Sequence, residues 1–303
     1  MTKKTSKQNN KALDRMVVGY EAQLKRDYEK SLKTIRGQLA KIYEKSDGNY
    51  VDAVKFNRLS SLEKQIGKEI IALSKITSQN LQNGIYDTFA AAKMREFFAI
   101  EKELGFAIDF TMMNKKAIKQ AVINPYDRIG FVKRNKLNGE LLARQVSQEI
   151  VQGLIQGKSF RQTASVPNKR MGIGAGKART IVRTETHRVR GIARAEVQEE
   201  AVELGVQMQK MWVSAIDTST REDHADADGQ TVDVDDYFSV GSEELMFPGD
   251  PVGSAEQVIN CRCTTIAVIK GYEPTVRRVR DSGIVKYETF REWEKTRDIP
   301  VRG

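Results

Sequence analysis

The chain has little with which to staple, anchor or export itself. Only two cysteines occur among 303 residues, Cys261 and Cys263. A disulfide-stapled extracellular scaffold needs more, so folding in a reducing cytoplasm is expected. No run of about 18 apolar residues is present, so no transmembrane helix and no membrane anchor are expected. The N-terminus, MTKKTSKQNNKALDR, is basic without an apolar stretch behind it and does not read as a secretory signal. Histidine is equally scarce, with His187 and His224 alone. A phosphate-binding loop is missing too, although Gly172-Ile173-Gly174-Ala175-Gly176-Lys177 imitates one. The first glycine of G-x-x-x-x-G-K falls on Met171, and Ala178 follows the lysine where a magnesium-binding hydroxyl belongs. That segment reads instead as a flexible turn.

What remains is the balance of a soluble globular protein, 40% hydrophobic and 30% charged, long enough for two or three domains. The net charge of +10 is unevenly spread. Residues 111–195 hold 18 Lys/Arg against four acids, a net of +14, whereas residues 196–263 hold three basic residues against 16 acids, a net of −13. A basic block of this density points to a polyanion partner. The alternative is that the two blocks neutralise each other within the fold.

The fold class expected is α+β, with a long-helix N-terminal region, a basic helical middle and a small mixed α/β C-terminal module. Leu13, Val17, Tyr20, Leu24, Tyr28, Leu32, Ile35, Leu39 and Ile42 recur at three- and four-residue steps, a helical stripe that the Ser46-Asp47-Gly48-Asn49 cluster ends. A second stripe runs through Leu59, Leu62, Ile66, Ile70, Leu73 and Ile76. Asn83-Gly84 reads as an interruption before a third helix from Tyr86 to Leu104. These helices are expected to pack on one another as a hairpin, the alternative being a coiled-coil arm that docks on a partner. Between Asn114 and Lys177, short helices are expected, broken at Asn124-Pro125, Asn138-Gly139 and Val166-Pro167-Asn168.

A further helix is expected from about Ala178 to Leu204. Val182, Val189, Ile192, Val197 and Leu204 make its apolar face, and Glu185 falls on that face, where a buried carboxylate needs a partner. Arg179, Arg183, His187, Arg190 and Arg194 lie opposite, a candidate DNA-binding face or one that pairs with the acidic block. Gly205 closes the helix, and Val206–Ala215 and Thr264–Ile269 read as strands. Between them, Ser219 and Glu222 have capping-box spacing, so a short helical turn is expected to carry His224. Phe247-Pro248-Gly249-Asp250-Pro251 reads as a rigid turn. The last 34 residues read as a tail with one short helix around Tyr287–Thr296.

In order, the distinctive residues are Arg183-Thr184-Glu185, Trp212, Asp217, Thr220-Arg221, His224, Asp228-Gly229, Phe238, Pro248-Gly249-Asp250 and Asn260-Cys261-Arg262-Cys263. Taken together, this order resembles the Mu F-like phage head-morphogenesis family, over roughly the C-terminal third of the chain. The resemblance implies a minor head protein of a tailed phage. Such a protein sits in the virion head interior, contacts the portal, and acts in head assembly and in DNA packaging or delivery. Portal protein and phage DNA are the implied partners, with scaffold or major capsid protein as further candidates. Some relatives carry toxin or transferase domains after the module, for which residues 271–303 are too short, so no enzyme is expected. The corresponding division is a helical region at 1–110, a basic helical connector at 111–175, the module at 176–270 and a tail at 271–303. Because both belong to the family pattern, Glu185 and Arg221 are the expected buried pair. Trp212, Asp217, Asp228 and Asn260 complete the structural motif.

Cys261 and Cys263 project to one face of an extended segment, where a disulfide between them is disfavoured because their Cα atoms stand near or beyond about 6.8 Å apart. They are either buried small hydrophobes or two thiolate ligands of a structural zinc with His224 as the third. Asp217 or Asp228 then stands as a candidate fourth ligand. His187 is disfavoured because it lies among arginines. His224-Ala225-Asp226-Ala227-Asp228-Gly229 with Asp235 imitates a calcium loop, but histidine replaces the first oxygen ligand. The same aspartates beside a histidine keep open a metal-dependent nuclease or hydrolase acting on nucleic acid.

Overall fold

The computed structural model describes residues 3–46, 58–108, 110, 130–215, 217–269, 276–279 and 283–286. Among the described residues, four long helices come first: α1 (Lys3–Ser46), α2 (Arg58–Leu104), α3 (Phe131–Ile155) and α4 (Phe160–Glu203). The strands and short helices that follow are β1 (Met208–Val213), α5 (Glu222–Asp226), β2 (Thr231–Asp233), β3 (Phe238–Val240), β4 (Glu243–Leu245), α6 (Ala255–Val258), β5 (Thr264–Ile269), β6 (Val276–Val279) and β7 (Gly283–Lys286). The protein is thus α+β. No described helix is long and apolar enough to cross a membrane.

The chain forms two compact units that are not consecutive in sequence. One comprises Val17–Gly84 and Ile129–Val182, the other Met1–Met16, Ile85–Arg128 and Arg183–Gly303. This division differs from a linear 1–110, 111–175, 176–270 partition because single helices contribute to both units. Helix α2 belongs to the first unit up to Gly84, and α4 up to Val182.

The first unit is helical. Its core joins Ile35, Leu39 and Ile42 of α1, Leu62, Ile66, Ile70 and Leu73 of α2, Leu142, Val146 and Ile150 of α3, and Ala164 and Met171 of α4. The N-terminal stripes therefore pack within the chain, as the hairpin expectation held. Four expected interruptions are absent. Helix α2 runs through Asn83-Gly84, α3 through Asn138-Gly139, and α4 through both Pro167 and the glycine-rich segment 172–177. Apolar burial on both sides of each signal outweighs its local preference. Two of the glycines, Gly139 and Gly174, serve close packing instead. A Cβ on Gly139 would stand 2.9 Å from the Cβ of Ser74, and one on Gly174 would stand 2.8 Å from a methyl of Leu142. Beside Gly139, buried Asn135 donates through Nδ2 to the Ser74 carbonyl, Thr77 Oγ1 and Ser78 Oγ at 3.0, 2.9 and 2.8 Å. The expected break at Asn124-Pro125, the residues 47–49 and the helix around Tyr287–Thr296 lie outside the described residues.

The second unit holds an antiparallel sheet of order β2-β1-β5, in which Trp212 faces Thr265 and Gln209 faces both Asp233 and Val268. Both expected strands form, and β1 ends on Val213. Helix α4 stops where Gly205 takes a φ of +93°, with the Val206 and Gly205 N–H groups closing on the carbonyls of Ala201 and Val202. One face of the sheet packs Met208, Ala267 and Ile269 on Phe97, Ile100, Val197 and Ala201 of α2 and α4. A second cluster gathers Trp212, Ala227, Phe238, Val240, Leu245, Cys261 and Cys263. Hairpin β3-β4 contributes to it. Beyond β5, the segment read as a tail contains a second antiparallel hairpin, β6-β7.

Candidate functional site

Helix α5 and the segment before β5 place His224, Cys261 and Cys263 side by side, all buried, with one ligand-capable atom of each within 4.8 Å of the others. His224 Nδ1 stands 3.3 Å from Cys263 Sγ and 3.6 Å from Cys261 Sγ. Its Nε2 stands 2.9 Å from Gln257 Oε1, and Gln257 Nε2 donates to Asp223 Oδ2 at 2.5 Å. The Trp212 ring meets the imidazole edge-on at 5.6 Å and seals one side. A hydrogen bond shared with Cys261 holds the Cys263 thiol below its ordinary range, and the same contact together with burial pushes Cys261 up. One proton between two sulfurs explains both shifts.

The short helix forms without the expected capping box. Arg221 is its N-cap residue and no side chain caps it, while Asp217 Oδ1 accepts the Ser219 N–H at 2.9 Å. Before Cys261, Asn260 takes a φ of +57°, a left-handed turn that asparagine tolerates better than most residues. Its N–H reaches Thr184 Oγ1 at 3.4 Å, which ties the Cys-Arg-Cys segment to α4.

The motif residues hold one another. Asp217 accepts both terminal nitrogens of Arg262, a forked pair with one contact of 2.6 Å. Arg221 donates to the carbonyl of Ile259. Asp228 Oδ1 accepts the Ser214 N–H at 2.7 Å, and Trp212 Nε1 donates to Ser214 Oγ at 3.1 Å. Ser214 Oγ closes the circuit on the His224 carbonyl. Asp250 organises its turn by accepting from the N–H groups of Met246 and Val252. Phe247 of that turn sits against Gly191, and the ring of His187 lies beside Gly249.

Glu185 is buried, but its partner is Arg188 rather than Arg221. The Arg188 Nε and Glu185 Oε2 stand 2.9 Å apart, one helical turn separating the residues. The i, i+3 spacing of acid and base was the signal available in the sequence. Gln257, Ser214 and Thr184 were also not singled out there, and Thr184 lay inside the Arg-Thr-Glu motif. Lys210, also not singled out, is almost wholly covered, its ammonium 5.4 Å over the Phe238 ring, and burial lowers it to about 8.

The arginine face is divided. Arg179 and Arg183 are exposed. Arg190 instead meets Asp14 at 2.8 Å, and buried Arg194 lies 3.8 Å from Glu96 and donates to Thr264 and Asn10. Burial raises the Glu96 carboxyl against the opposing pull of Arg194 and a hydrogen bond from Gln198. His187 has its Nε2 enclosed without a partner. Neither Asp217 nor Asp228 joins the His224 cluster, because each is committed to the contacts above, so the expected fourth ligand is not among them.

A compact module whose motif residues mainly bind each other, carried on long helices, is the class of protein that fold and site define. The model for the family described as Phage Mu protein F like protein matches residues 144–266. The minor head protein GP7 of Bacillus phage SPP1 is 33% identical over 296 residues, covering 94% of this chain and 95% of that protein. The chain therefore belongs to the Mu F-like phage head protein family. It is also similar to NAD(+)--arginine ADP-ribosyltransferase EFV of Enterococcus faecalis, 29% identical over 275 residues, or 88% of this chain and 55% of that protein. Uncharacterized protein YqbB of Bacillus subtilis is 29% identical over 137 residues, 43% of each chain. No solved structure matches the chain.

Proposed function

We propose that the chain is a minor head protein of a tailed phage, a structural component of the head interior that meets the portal and acts in head assembly and in DNA packaging or delivery. The observation that carries this reading is the near-complete mutual coverage with the SPP1 minor head protein, 94% of one chain and 95% of the other. That likeness includes the long N-terminal helices, which the family match over residues 144–266 does not reach. The geometry supports a structural role, since Asp217, Arg221, Asp228 and Asn260 are spent on internal contacts. Portal protein and phage DNA are the proposed partners, with scaffold and major capsid protein as further ones. Mass spectrometry of purified procapsids and phage should find the protein in both, at low copy number and co-purifying with the portal. Particles of normal composition that lack it entirely would refute the proposal.

The chain acts in this reading without catalysis. The transferase name belongs to a protein of which the chain spans 55%. Among the described residues, the converging group of potential metal ligands is His224, Cys261 and Cys263, without Asp226, Asp228 or Asp235. Incubation with labelled NAD+ and an arginine acceptor, and with plasmid plus Mg²⁺, Mn²⁺ or Zn²⁺, should leave both substrates unchanged. Transfer or cleavage that survives purification to homogeneity would reverse this reading.

A further inference from the structure

The hydrogen-bond chain behind His224 fixes which ring nitrogen faces the thiols. A carboxylate only accepts, so Asp223 turns the amide nitrogen of Gln257 toward itself, at 2.5 Å. The amide oxygen of Gln257 then points at His224 Nε2, 2.9 Å away. An amide oxygen also only accepts, so Nε2 carries the proton and Nδ1 presents its lone pair. That lone pair is the atom beside both sulfurs, at 3.3 and 3.6 Å. Three donors therefore converge, and the imidazole is already oriented from behind.

We propose that His224 Nδ1, Cys261 Sγ and Cys263 Sγ hold one zinc ion that ties the acidic loop of the module to strand β5. Tetrahedral zinc with bonds of about 2.3 Å to sulfur and about 2.0–2.1 Å to nitrogen sets each sulfur about 3.6 Å from the nitrogen. The observed separations of 3.3 and 3.6 Å need a shift of only a few tenths of an ångström. Thiolate and imidazole select zinc over the hard cations, magnesium and calcium. Gln257 and Asp223 are the outer partners that orient a ligating histidine and fix its tautomer. The fourth position is left to water or a small ligand, because Asp217 holds Arg262 and Asp228 holds the Ser214 N–H. Two thiolates balance the ion, so the zinc-bound site is neutral, and the edge of Trp212 keeps bulk water from one side. The site stands independently of the head-protein reading.

The test uses full-length protein purified under reducing conditions without added metal. Elemental analysis should find about one zinc per chain, and a chelator should lower the melting temperature, since the ion binds the folded state alone. Replacement by Co²⁺ should give the near-ultraviolet thiolate-to-cobalt absorption and the visible bands of a tetrahedral site. Cys261→Ser, Cys263→Ser and His224→Ala should each abolish that spectrum. Gln257→Leu leaves all three ligands in place and should weaken zinc about 10- to 100-fold in competition with a chromogenic chelator. Where a ligand variant fails to fold, the wild-type cobalt titration decides alone. Wild-type protein that melts cooperatively, holds far less than one metal and takes up neither Zn²⁺ nor Co²⁺ would overturn the proposal. So would a stoichiometric metal other than zinc.

Discussion

Glu185 and Arg188 neutralise each other in the core, with 2.9 Å between carboxylate and guanidinium and side-chain exposures of 4% and 3%. Removing one partner takes the opposite charge away from the other in a place shielded from water. Glu185→Ala or Arg188→Ala should therefore destabilise the protein by roughly 3–5 kcal/mol. The double change Glu185→Leu with Arg188→Met should cost less than either single change, because no charge is left behind. Thermal or urea unfolding measures all three. Single variants with wild-type stability would place the pair in contact with solvent.

His187 predicts a pH dependence of definite sign. Burial lowers it from 6.5 to about 3, reinforced by Arg190, Arg194 and His224 and partly opposed by its hydrogen bond to Pro248. The unfolded chain therefore takes up a proton near pH 6.5 that the folded chain refuses until about pH 3. Stability from this residue is complete above the unfolded value. It is lost as pH falls through that window, by up to about 1.4 kcal/mol per pH unit. His187→Gln should flatten the difference between unfolding free energies at pH 7 and pH 4.5. An unchanged pH profile in the variant would show that His187 titrates freely.

The parts of the fold legible in the sequence were those where local pattern and tertiary burial agree. Of the two stripes, Ile35, Leu39 and Ile42 and Leu59 through Leu73 are core while Ile76 is exposed, and the strands at 208–213 and 264–269 pair with each other. Asn83-Gly84, Asn138-Gly139 and Pro167 misled because turn preference is a local energy of about 1–3 kcal/mol. Apolar neighbours bury on both sides of them, Leu81 and Ile85, Phe131 and Leu142, and Ala164 and Met171. The two-unit division was hidden for a different reason, since a helix that contributes to both units shows no boundary in composition. At the site, the His224, Cys261 and Cys263 grouping followed from scarcity, and the structure brings the three together. Gln257 was invisible because an orienting amide has no characteristic spacing. The partners of Arg190 and Arg194 were hidden because Asp14 and Glu96 lie more than 90 residues away, outside the acidic block that follows the helix.

Asn135 should be the most sensitive uncharged polar position of the helical unit. Its side chain satisfies one carbonyl and two hydroxyls of α2 from α3. Asn135→Ala leaves those groups buried with less to bond, a loss of about 1–3 kcal/mol. Hydrogen exchange should show faster opening of α2 near Thr77 and of α3 near Asn135. Equal protection in variant and wild type would mean that the contact contributes nothing net.

DNA binding, proposed from the net of +14 over residues 111–195, depends on which of those cations remain at the surface. Lys133, Arg144, Lys158, Arg161, Lys169, Lys177 and Arg179 are exposed, and all lie in the helical unit. Arg190 and Arg194 belong to the other unit and are committed to Asp14 and Glu96. If the exposed group meets the backbone of duplex DNA, the logarithm of affinity should fall linearly with the logarithm of salt, by about 0.9 per phosphate neutralised. Lys169→Gln, Lys177→Gln and Arg179→Gln combined should then reduce the slope by up to about 2.7 without changing base preference. Arg190→Gln should leave the slope unchanged and lower stability instead. Residues 111–195 do not make a compact unit alone, so the measurement belongs on the full chain, by fluorescence anisotropy on duplexes of unrelated sequence. No binding at 20–50 mM salt, or a slope indifferent to the triple change, would assign these cations to solvation rather than to packaged DNA.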